Sequence, residues 1–186
     1  MNGWTQHNKG IRETIINHIN SDILFLSETH LRDDDSIEMK GYHWYGHNRF
    51  LTHKNAKRGS GGVGFFIKDT VYNEFNVTLT DKCKEGIVNI ELEHKISNFS
   101  ISGIGVYLPP ENSVYGRDAC DVFAHLISLI YATIECDVTI LCGDFNARIA
   151  SELDYISGVD ILPERKSIDS TKNNHGDSLI DFAKDI

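Results

Sequence analysis

Two short, continuous apolar runs, each leading into an acidic residue, constrain the fold of this chain most. Residues 22–28 end in Glu28, and residues 137–142 lead into Asp144 and then Asn146. Such runs, bounded by polar residues, are typical of strands that are covered on both faces. The sequence therefore predicts two buried strands that end in oxygen-bearing side chains, and these ends could lie side by side in one sheet.

Helices are predicted at three places along the chain. Apolar residues recur at helical spacing near the start of the chain, around Leu126 and around Ile180. The first helix carries a stripe of Ile11, Ile15, Ile16 and Ile19. Alternating or β-branched segments predict mainly antiparallel strands at residues 41–50, 65–67, 71–79, 86–93 and 99–107. Together these elements predict an α/β fold formed by a single domain, residues 1–186.

The charge balance limits the classes of function. Lys and Arg number 18 against 27 Asp and Glu, which gives a net charge of −9. This charge disfavours a module that holds polyanionic nucleic acid by itself. A metal-dependent phosphodiesterase is compatible with it, because a carboxylate-lined site first recruits a divalent cation, which then attracts phosphate.

No targeting or membrane signal is visible in the sequence. No apolar stretch approaches the roughly 20 residues that cross a bilayer, and residues 1–10 lack the apolar core of a signal peptide. We expect no membrane partner, no secretion, and a nuclear or cytoplasmic location. The four cysteines have neither zinc-site spacing nor a disulfide-dense pattern, so they are predicted to be reduced and mostly buried.

Carboxylate and amide oxygens at strand ends suit Mg²⁺ or Mn²⁺ better than zinc, which prefers His and Cys. Acidic residues also end strands simply to meet water, so this pattern alone leaves a metal site and a solvated strand end both open. His43, His47 and His53 fit no zinc spacing, and we expect them at the surface.

A glycine-rich turn and a basic cluster lie between residues 49 and 64. Residues 59–64 precede a strand and not a helix, which favours tight backbone packing over a phosphate cradle. The basic cluster favours a solvated face and leaves contact with a DNA backbone open. It consists of Arg49, Lys54, Lys57 and Arg58.

Four motifs follow one another along the chain: Asp-Ile-Leu-Phe-Leu-Ser-Glu-Thr-His-Leu at 22–31, Gly-Gly-Val-Gly at 61–64, Val-Tyr-Leu-Pro-Pro at 106–110 and Leu-Cys-Gly-Asp-Phe-Asn-Ala at 141–147. In these residues and in their order, the chain resembles the endonuclease/exonuclease/phosphatase superfamily. Within the superfamily, the chain looks most like the apurinic-type endonuclease domains of non-LTR retroelements. That closer likeness lies in residues 165–169, 174–176 and 179–182.

The resemblance implies a role for each matching residue. Glu28 would bind the catalytic Mg²⁺, with Mn²⁺ as a possible substitute, and Asn2 belongs to the end of a metal-linked Asn element. Asp144 would orient or activate the attacking water, Asn146 would hold that aspartate and the phosphate oxygens in register, and Tyr107 would stabilise the phosphate. In-line displacement at phosphorus needs these parts: a positioned nucleophile, a cation and preorganised donors.

The resemblance also implies a four-layer α/β sandwich, in which two packed β-sheets are flanked by helices. The substrate would be DNA, and a longer parent protein would carry a reverse-transcriptase region. Independently of the resemblance, Arg58 belongs to the basic cluster that could contact a DNA backbone. Asn174 could support a substrate loop, although turn chemistry explains this residue type equally well.

Family members open with an Asn-bearing strand and close with strands that carry a Ser-Asp-His element, and residues 1–186 contain neither. We therefore expect the sandwich to be incomplete and this polypeptide alone to be weakly active or inactive. A phosphatase or RNA-directed member of the superfamily and a catalytically inactive fragment remain as alternatives.

Overall fold

The computed structural model describes residues 3–4, 9–32, 34–49, 59–113, 119–153, 155, 159 and 167–186. The elements are α1 (Lys9–Ile19), β1 (Ile23–Ser27), β2 (Tyr42–His47), β3 (Val63–Lys68), α2 (Asp69–Glu74), β4 (Phe75–Asp81), β5 (Ile87–His94), β6 (Ser100–Tyr107), α3 (Ala119–Ala132), β7 (Val138–Asp144) and α4 (Asn174–Asp185). The chain forms two compact units: Met1–Tyr107 with Thr133–Gly143, and Leu108–Ala132 with Asp144–Ile186.

The first unit contains a three-stranded and a four-stranded sheet. The smaller sheet has the order β1-β3-β2 and is antiparallel throughout, with Phe66 of β3 opposite Leu24 and Trp44. The larger sheet has the order β4-β5-β6-β7, and its β4-β5 and β5-β6 pairs are antiparallel. The antiparallel middle of the chain is therefore confirmed, and β3 is buried because it lies between two neighbours.

The two sheets pack face to face through an apolar core. This core includes Val63, Phe65, Ile67, Val88, Ile90 and Leu92. Gly105 of β6 allows the close approach, because a Cβ at this position would collide with the ring of Phe25 on β1. The predicted α/β fold with two packed sheets is confirmed.

A second cluster covers the outer face of the smaller sheet. Phe66 is fully buried there against the edges of Trp4, Tyr42 and Trp44, at ring-centroid distances of 5.6, 5.7 and 5.0 Å. Burying one large apolar side chain in this way contributes about 1.5–3 kcal/mol. Helix α1 adds Ile16 to the same cluster.

Helix α1 buries less of its apolar stripe than the sequence suggests. Of the four isoleucines, Ile16 is 3% exposed, whereas Ile11, Ile15 and Ile19 are 60%, 52% and 53% exposed. Periodicity correctly predicts the helix, because it depends on residue spacing. Periodicity does not predict how many residues of the stripe pack against another element.

Strand β7 corrects two further predictions. It is mostly exposed, with Val138 40% and Ile140 46% accessible, because it lies at the edge of the larger sheet in the described part of the chain. Strands β1 and β7 also belong to different sheets. The predictions that β7 is buried and that the two acidic strand ends share one sheet are therefore wrong.

Residues 71–79 correct a third prediction. The structure places helix α2 before strand β4, so the first residues of this segment are helical. Asp69 begins the helix, where a carboxylate interacts favourably with the helix dipole. The β-branched Val71 suggested a strand, but local helix initiation overrides that weak preference.

The second unit is organised around helices α3 and α4. Phe123 of α3 contacts Phe145 at a ring-centroid distance of 6.0 Å and Phe182 of α4 at 5.4 Å. Leu126 and Ile180 are buried on the same two helices. Within the described parts of the chain, no helix is both long and apolar enough to cross a membrane.

Candidate active site

Glu28 directly follows β1 and has an unusual backbone conformation. Its φ is +54°, which is uncommon for a residue with a side chain. The chain on either side is held by hydrogen bonds from Gly3 N–H to the Glu28 carbonyl (2.9 Å) and from Thr29 N–H to the Gly62 carbonyl (3.1 Å). The glycine-rich turn therefore supports this position by tight packing, as predicted. Backbone strain of this kind often accompanies functional sites.

Tyr107 contacts this carboxylate directly. Its hydroxyl donates a hydrogen bond of 2.6 Å to Oε1 of Glu28, and both side chains are half-buried. Tyr107 is the last residue of β6, and its backbone N–H donates to the carbonyl of Gly86 at 2.7 Å. A Cβ at Gly86 would collide with the Tyr107 carbonyl, so a glycine is needed to hold the strand end at this distance.

Asp144 and Asn146 form a second group, which lies in the second unit. The Asp144 carbonyl accepts from Leu108 N–H at 2.9 Å, and Oδ1 of Asp144 accepts from Asn146 N–H at 3.0 Å. Asn146 has φ +46° and donates through Nδ2 to the Leu108 carbonyl at 2.8 Å. Asn tolerates this left-handed conformation better than most residues. The local hydrogen bonds thus fix both side chains relative to their own backbone.

Asn173 holds the segment that follows Asn146. Its Oδ1 accepts from Arg148 N–H at 2.8 Å and from Gly176 N–H at 2.9 Å, and its Nδ2 donates to the Asn146 carbonyl at 2.9 Å. Its backbone N–H also donates to the Arg148 carbonyl at 3.0 Å. Asn173 is not among the site residues predicted from the sequence, although an Asn immediately before a predicted helix is a common N-cap.

The other predicted site residues have different environments. Asn174 begins α4 and is exposed, and its backbone N–H donates to the Glu111 carboxylate at 2.9 Å. Asn2 and Arg58 lie outside the described residues. A cavity of about 470 Å³ in the second unit is lined by Pro110, Glu111, Asn112, Asn146, Arg148, Thr171, Lys172 and Asn173.

Hydrogen bonds and ion pairs of residues in the second unit shift two pKa values. Hydrogen bonds from the hydroxyl and backbone N–H of Thr171 lower the pKa of Asp169, and nearby Arg148 lowers it further. The pKa of Lys172 is raised mainly by its contact with Asp177, at 2.7 Å. Acidic partners therefore offset the positive charges of both Arg148 and Lys172.

Two residues of the first unit differ from their predicted environments. Arg49 is only 7% exposed, and its Nε lies 3.0 Å from the Glu85 carboxylate. His47 is 3% exposed, and its Nδ1 lies 2.8 Å from the Ile87 carbonyl. The prediction of a solvated face is therefore wrong for Arg49, and that of a surface histidine is wrong for His47. In both cases a polar partner offsets part of the free-energy cost of burial.

The cysteines are also less buried than predicted. Cys83 and Cys120 are exposed, whereas Cys136 and Cys142 are half-buried. Burial raises the pKa of the Cys142 thiol, which disfavours the reactive thiolate. The expectation of mostly buried thiols is wrong, because Cys83 lies after an edge strand and Cys120 lies in the first turn of α3.

Glu28 offers an oxygen donor for a divalent cation. Tyr107 occupies Oε1 of Glu28, which leaves Oε2 as a hard oxygen of the type that Mg²⁺ prefers. Among the described residues, no three His, Cys, Asp or Glu side chains form a metal-binding group. The free oxygen of Glu28 fits Mg²⁺ by its chemistry, because this cation is usually held by one or two carboxylates together with substrate phosphates.

Two packed sheets with helices, whose strand ends carry hydrogen-bonded polar side chains, define an α/β sandwich protein. Over residues 1–156 the sequence matches the Endonuclease/Exonuclease/phosphatase family, and this protein belongs to that family. No curated protein sequence matches the chain.

Solved structures share this fold. The AP endonuclease LMAP from Leishmania major is 18% identical with a TM-score of 0.60, over 84% of this chain and 56% of that one. The 3′ phosphatase NExo from Neisseria, bound to a product DNA hairpin, is 17% identical with a TM-score of 0.55, over 80% of this chain and 56% of that one. The chain therefore spans about half the length of these structures, and at such identities the likeness concerns the fold.

Proposed function

We propose that this protein is a metal-dependent phosphodiesterase that cleaves DNA, with Glu28 and Tyr107 in the first unit and Asp144 and Asn146 in the second as its functional residues. The observation that carries the proposal is the hydrogen bond of 2.6 Å from Tyr107 to Glu28. It fixes one oxygen of a carboxylate at a strand end and leaves the other for a cation. Family membership supports hydrolysis of a phosphoester as the reaction.

Glu28 would hold Mg²⁺ or Mn²⁺, with Asn2 as a further oxygen donor. A cation bound there would supply positive charge to the phosphate oxygens as negative charge develops. Tyr107 has one hydroxyl proton and donates it to Glu28, so its first role is to orient this carboxylate. To stabilise the phosphate directly, the Tyr107 hydroxyl would have to donate this proton to a phosphate oxygen instead of to Glu28.

Asp144 would accept a proton from the attacking water. Its Oδ1 is held by Asn146 N–H, which orients Oδ2 for this task. Asn146 donates one Nδ2 hydrogen to Leu108, and the second would donate to a phosphate oxygen. A preorganised donor of this kind strengthens its interaction as charge grows on the phosphate.

DNA is the proposed substrate because both fold relatives are named for DNA chemistry: one is an AP endonuclease and the other is bound to a DNA hairpin. Arg58 and Asn174 are proposed to contact the DNA backbone. The likeness at residues 165–169 and 174–176 supports an endonuclease of the retroelement type, in a longer protein with a reverse-transcriptase region. A phosphatase or RNA-directed activity is the alternative for the same residues.

Nicking of supercoiled plasmid tests the proposal. We expect the purified chain to nick with Mg²⁺, to stop with EDTA, and to lose most activity in Glu28→Ala and Asp144→Ala. Glu135→Gln, a change at an exposed carboxylate, is the control and should nick normally. A folded chain that cleaves only 3′-phosphorylated ends or RNA would support the alternatives, and one that cleaves none of these substrates would refute the proposal.

A further inference from the structure

Asn173 connects the start of α4 to the segment that carries Asn146. Its carboxamide makes three hydrogen bonds, through Oδ1 to Gly176 and Arg148 N–H and through Nδ2 to the Asn146 carbonyl. The two N–H groups can only donate, so they fix which end of the carboxamide is the oxygen. Nδ2 must therefore face the Asn146 carbonyl, which can only accept.

Capping the helix explains only part of this arrangement. The bond to Gly176 is the ordinary N-cap interaction, in which a side-chain oxygen satisfies an N–H of the first helical turn. Asp would supply that acceptor equally well. The donor to the Asn146 carbonyl serves no capping purpose, and among Asn and Asp only Asn has an N–H to provide it.

Other contacts hold the same segment, and Asn173 lies between them. Asn146 is in the left-handed region, and one of its two carboxamide hydrogens is donated to Leu108. Beyond it, Ile149 and Lys172 form an isolated antiparallel bridge. Gly176 packs against the Arg148 carbonyl so closely that a Cβ would collide with it. Asn173 lies at the centre of these contacts, between Asn146 on one side and α4 on the other.

We propose that Asn173 is a positioning residue, whose Nδ2–H bond to the Asn146 carbonyl fixes the carboxamide of Asn146 for contact with substrate phosphate. This inference rests on the proposed function, in which Asn146 touches the phosphate. Asn173 itself acts only through Asn146. Loss of its Nδ2 donor should impair the chemical step more than substrate binding, because a small misplacement of a reacting group costs up to about 100-fold in rate.

The test compares Asn173→Asp with Asn173→Ala. The Asp variant keeps the two oxygen contacts and the helix cap but replaces the donor by an acceptor, whereas the Ala variant loses all three. We expect Asn173→Asp to melt close to the wild type and to lower kcat for DNA cleavage about 10- to 100-fold, with KM changed less than about threefold. Asn173→Ala should lower both kcat and the melting temperature.

An NMR measurement separates this inference from the proposed nuclease function. In Asn173→Asp, the side-chain amide signals of Asn146 should shift and its N–H protons should exchange faster, whatever the chain cleaves. If the wild type cleaves no substrate, the nuclease proposal fails. The positioning inference is then tested by NMR alone, and unchanged Asn146 signals in Asn173→Asp overturn it. If the wild type cleaves DNA, an Asn173→Asp variant with wild-type kcat overturns it directly.

Discussion

The hydroxyl of Tyr107 lies 2.6 Å from Oε1 of Glu28, although the two residues are 79 positions apart in the sequence. The contact joins the end of β6, in the four-stranded sheet, to the residue that follows β1, in the three-stranded sheet. Packing of the two sheets therefore produces the contact, and any change that loosens this packing should also weaken it.

Replacing Tyr107 by Phe should impair cleavage while leaving the fold intact. The ring still packs, but Glu28 loses a hydrogen bond that orients it. We expect a loss of about 10- to 100-fold in activity or metal affinity and about 1–2 kcal/mol of stability. Plasmid nicking at several Mg²⁺ concentrations and thermal melting would measure both effects.

Tyr131→Phe is the matched control, because Tyr131 is 61% exposed and lies on α3. It should change neither activity nor stability. Full activity of Tyr107→Phe at low Mg²⁺ would contradict an orienting role for the hydroxyl.

Substitutions of Asn146 should separate backbone strain from chemistry. Both Asn146→Ala and Asn146→Gly remove the carboxamide and its bond to Leu108, so both should reduce cleavage about 100-fold or more. Only glycine accepts φ +46° without strain, so the Gly variant should be more stable than the Ala variant by about 1 kcal/mol. Chemical denaturation of the two variants would measure this difference, and equal stabilities would show that Asn146 is not strained.

Gly105 should be intolerant of a side chain. Gly105→Val would push the ring of Phe25 out of the space between the sheets, and we expect a loss of about 1–3 kcal/mol or more. Gly10 offers a control, since nothing lies within 4 Å of a Cβ built there. Gly10→Ala should be neutral or stabilise α1 by about 0.5–1 kcal/mol. If Gly105→Val is also neutral in the same melting experiment, the tight packing of Gly105 against Phe25 is contradicted.

The sequence predicts the positions of Glu28 and Asp144 well because strand ends are marked locally. An apolar run followed by a polar residue is visible within a few positions, and both strands form as expected. Which elements cover a strand depends on residues that are far away in the sequence. The apolar run of β7 therefore suggested a buried strand, although its Val138 and Ile140 are largely exposed at a sheet edge.

The role of Asn173 shows the same limit for a site residue. Its neighbour Asn174 was singled out from the residue pattern, whereas Asn173 makes the contacts to Asn146 and Arg148, 27 and 25 positions away. Both residues are asparagines in a segment rich in turn-forming residues, so residue type alone does not distinguish them in the sequence. The difference becomes visible only when the segment around Asn146 and the start of α4 are brought together.

Acidification should reveal the contribution of Asp169. Hydrogen bonds from Thr171 stabilise its ionised form in the folded protein and lower its pKa from the ordinary value of 3.8. The resulting stability is therefore fully present above about pH 3.8 and is lost as the pH falls through the lower pKa of the folded state. Asp169→Asn imitates the protonated acid at every pH.

We expect Asp169→Asn to be slightly less stable than the wild type at about pH 6, and the difference to shrink as the pH falls from 3.8 through the lower pKa of the folded state. The effect should be small because Asp169 is exposed to solvent. Thermal melting across this range would measure it. Since hydrogen bonds contribute more than the charge of Arg148, the difference at pH 6 should survive salt at about 0.5 M. A gap that instead widens on acidification would mean that the folded protein favours the protonated acid, which would contradict the contacts from Thr171.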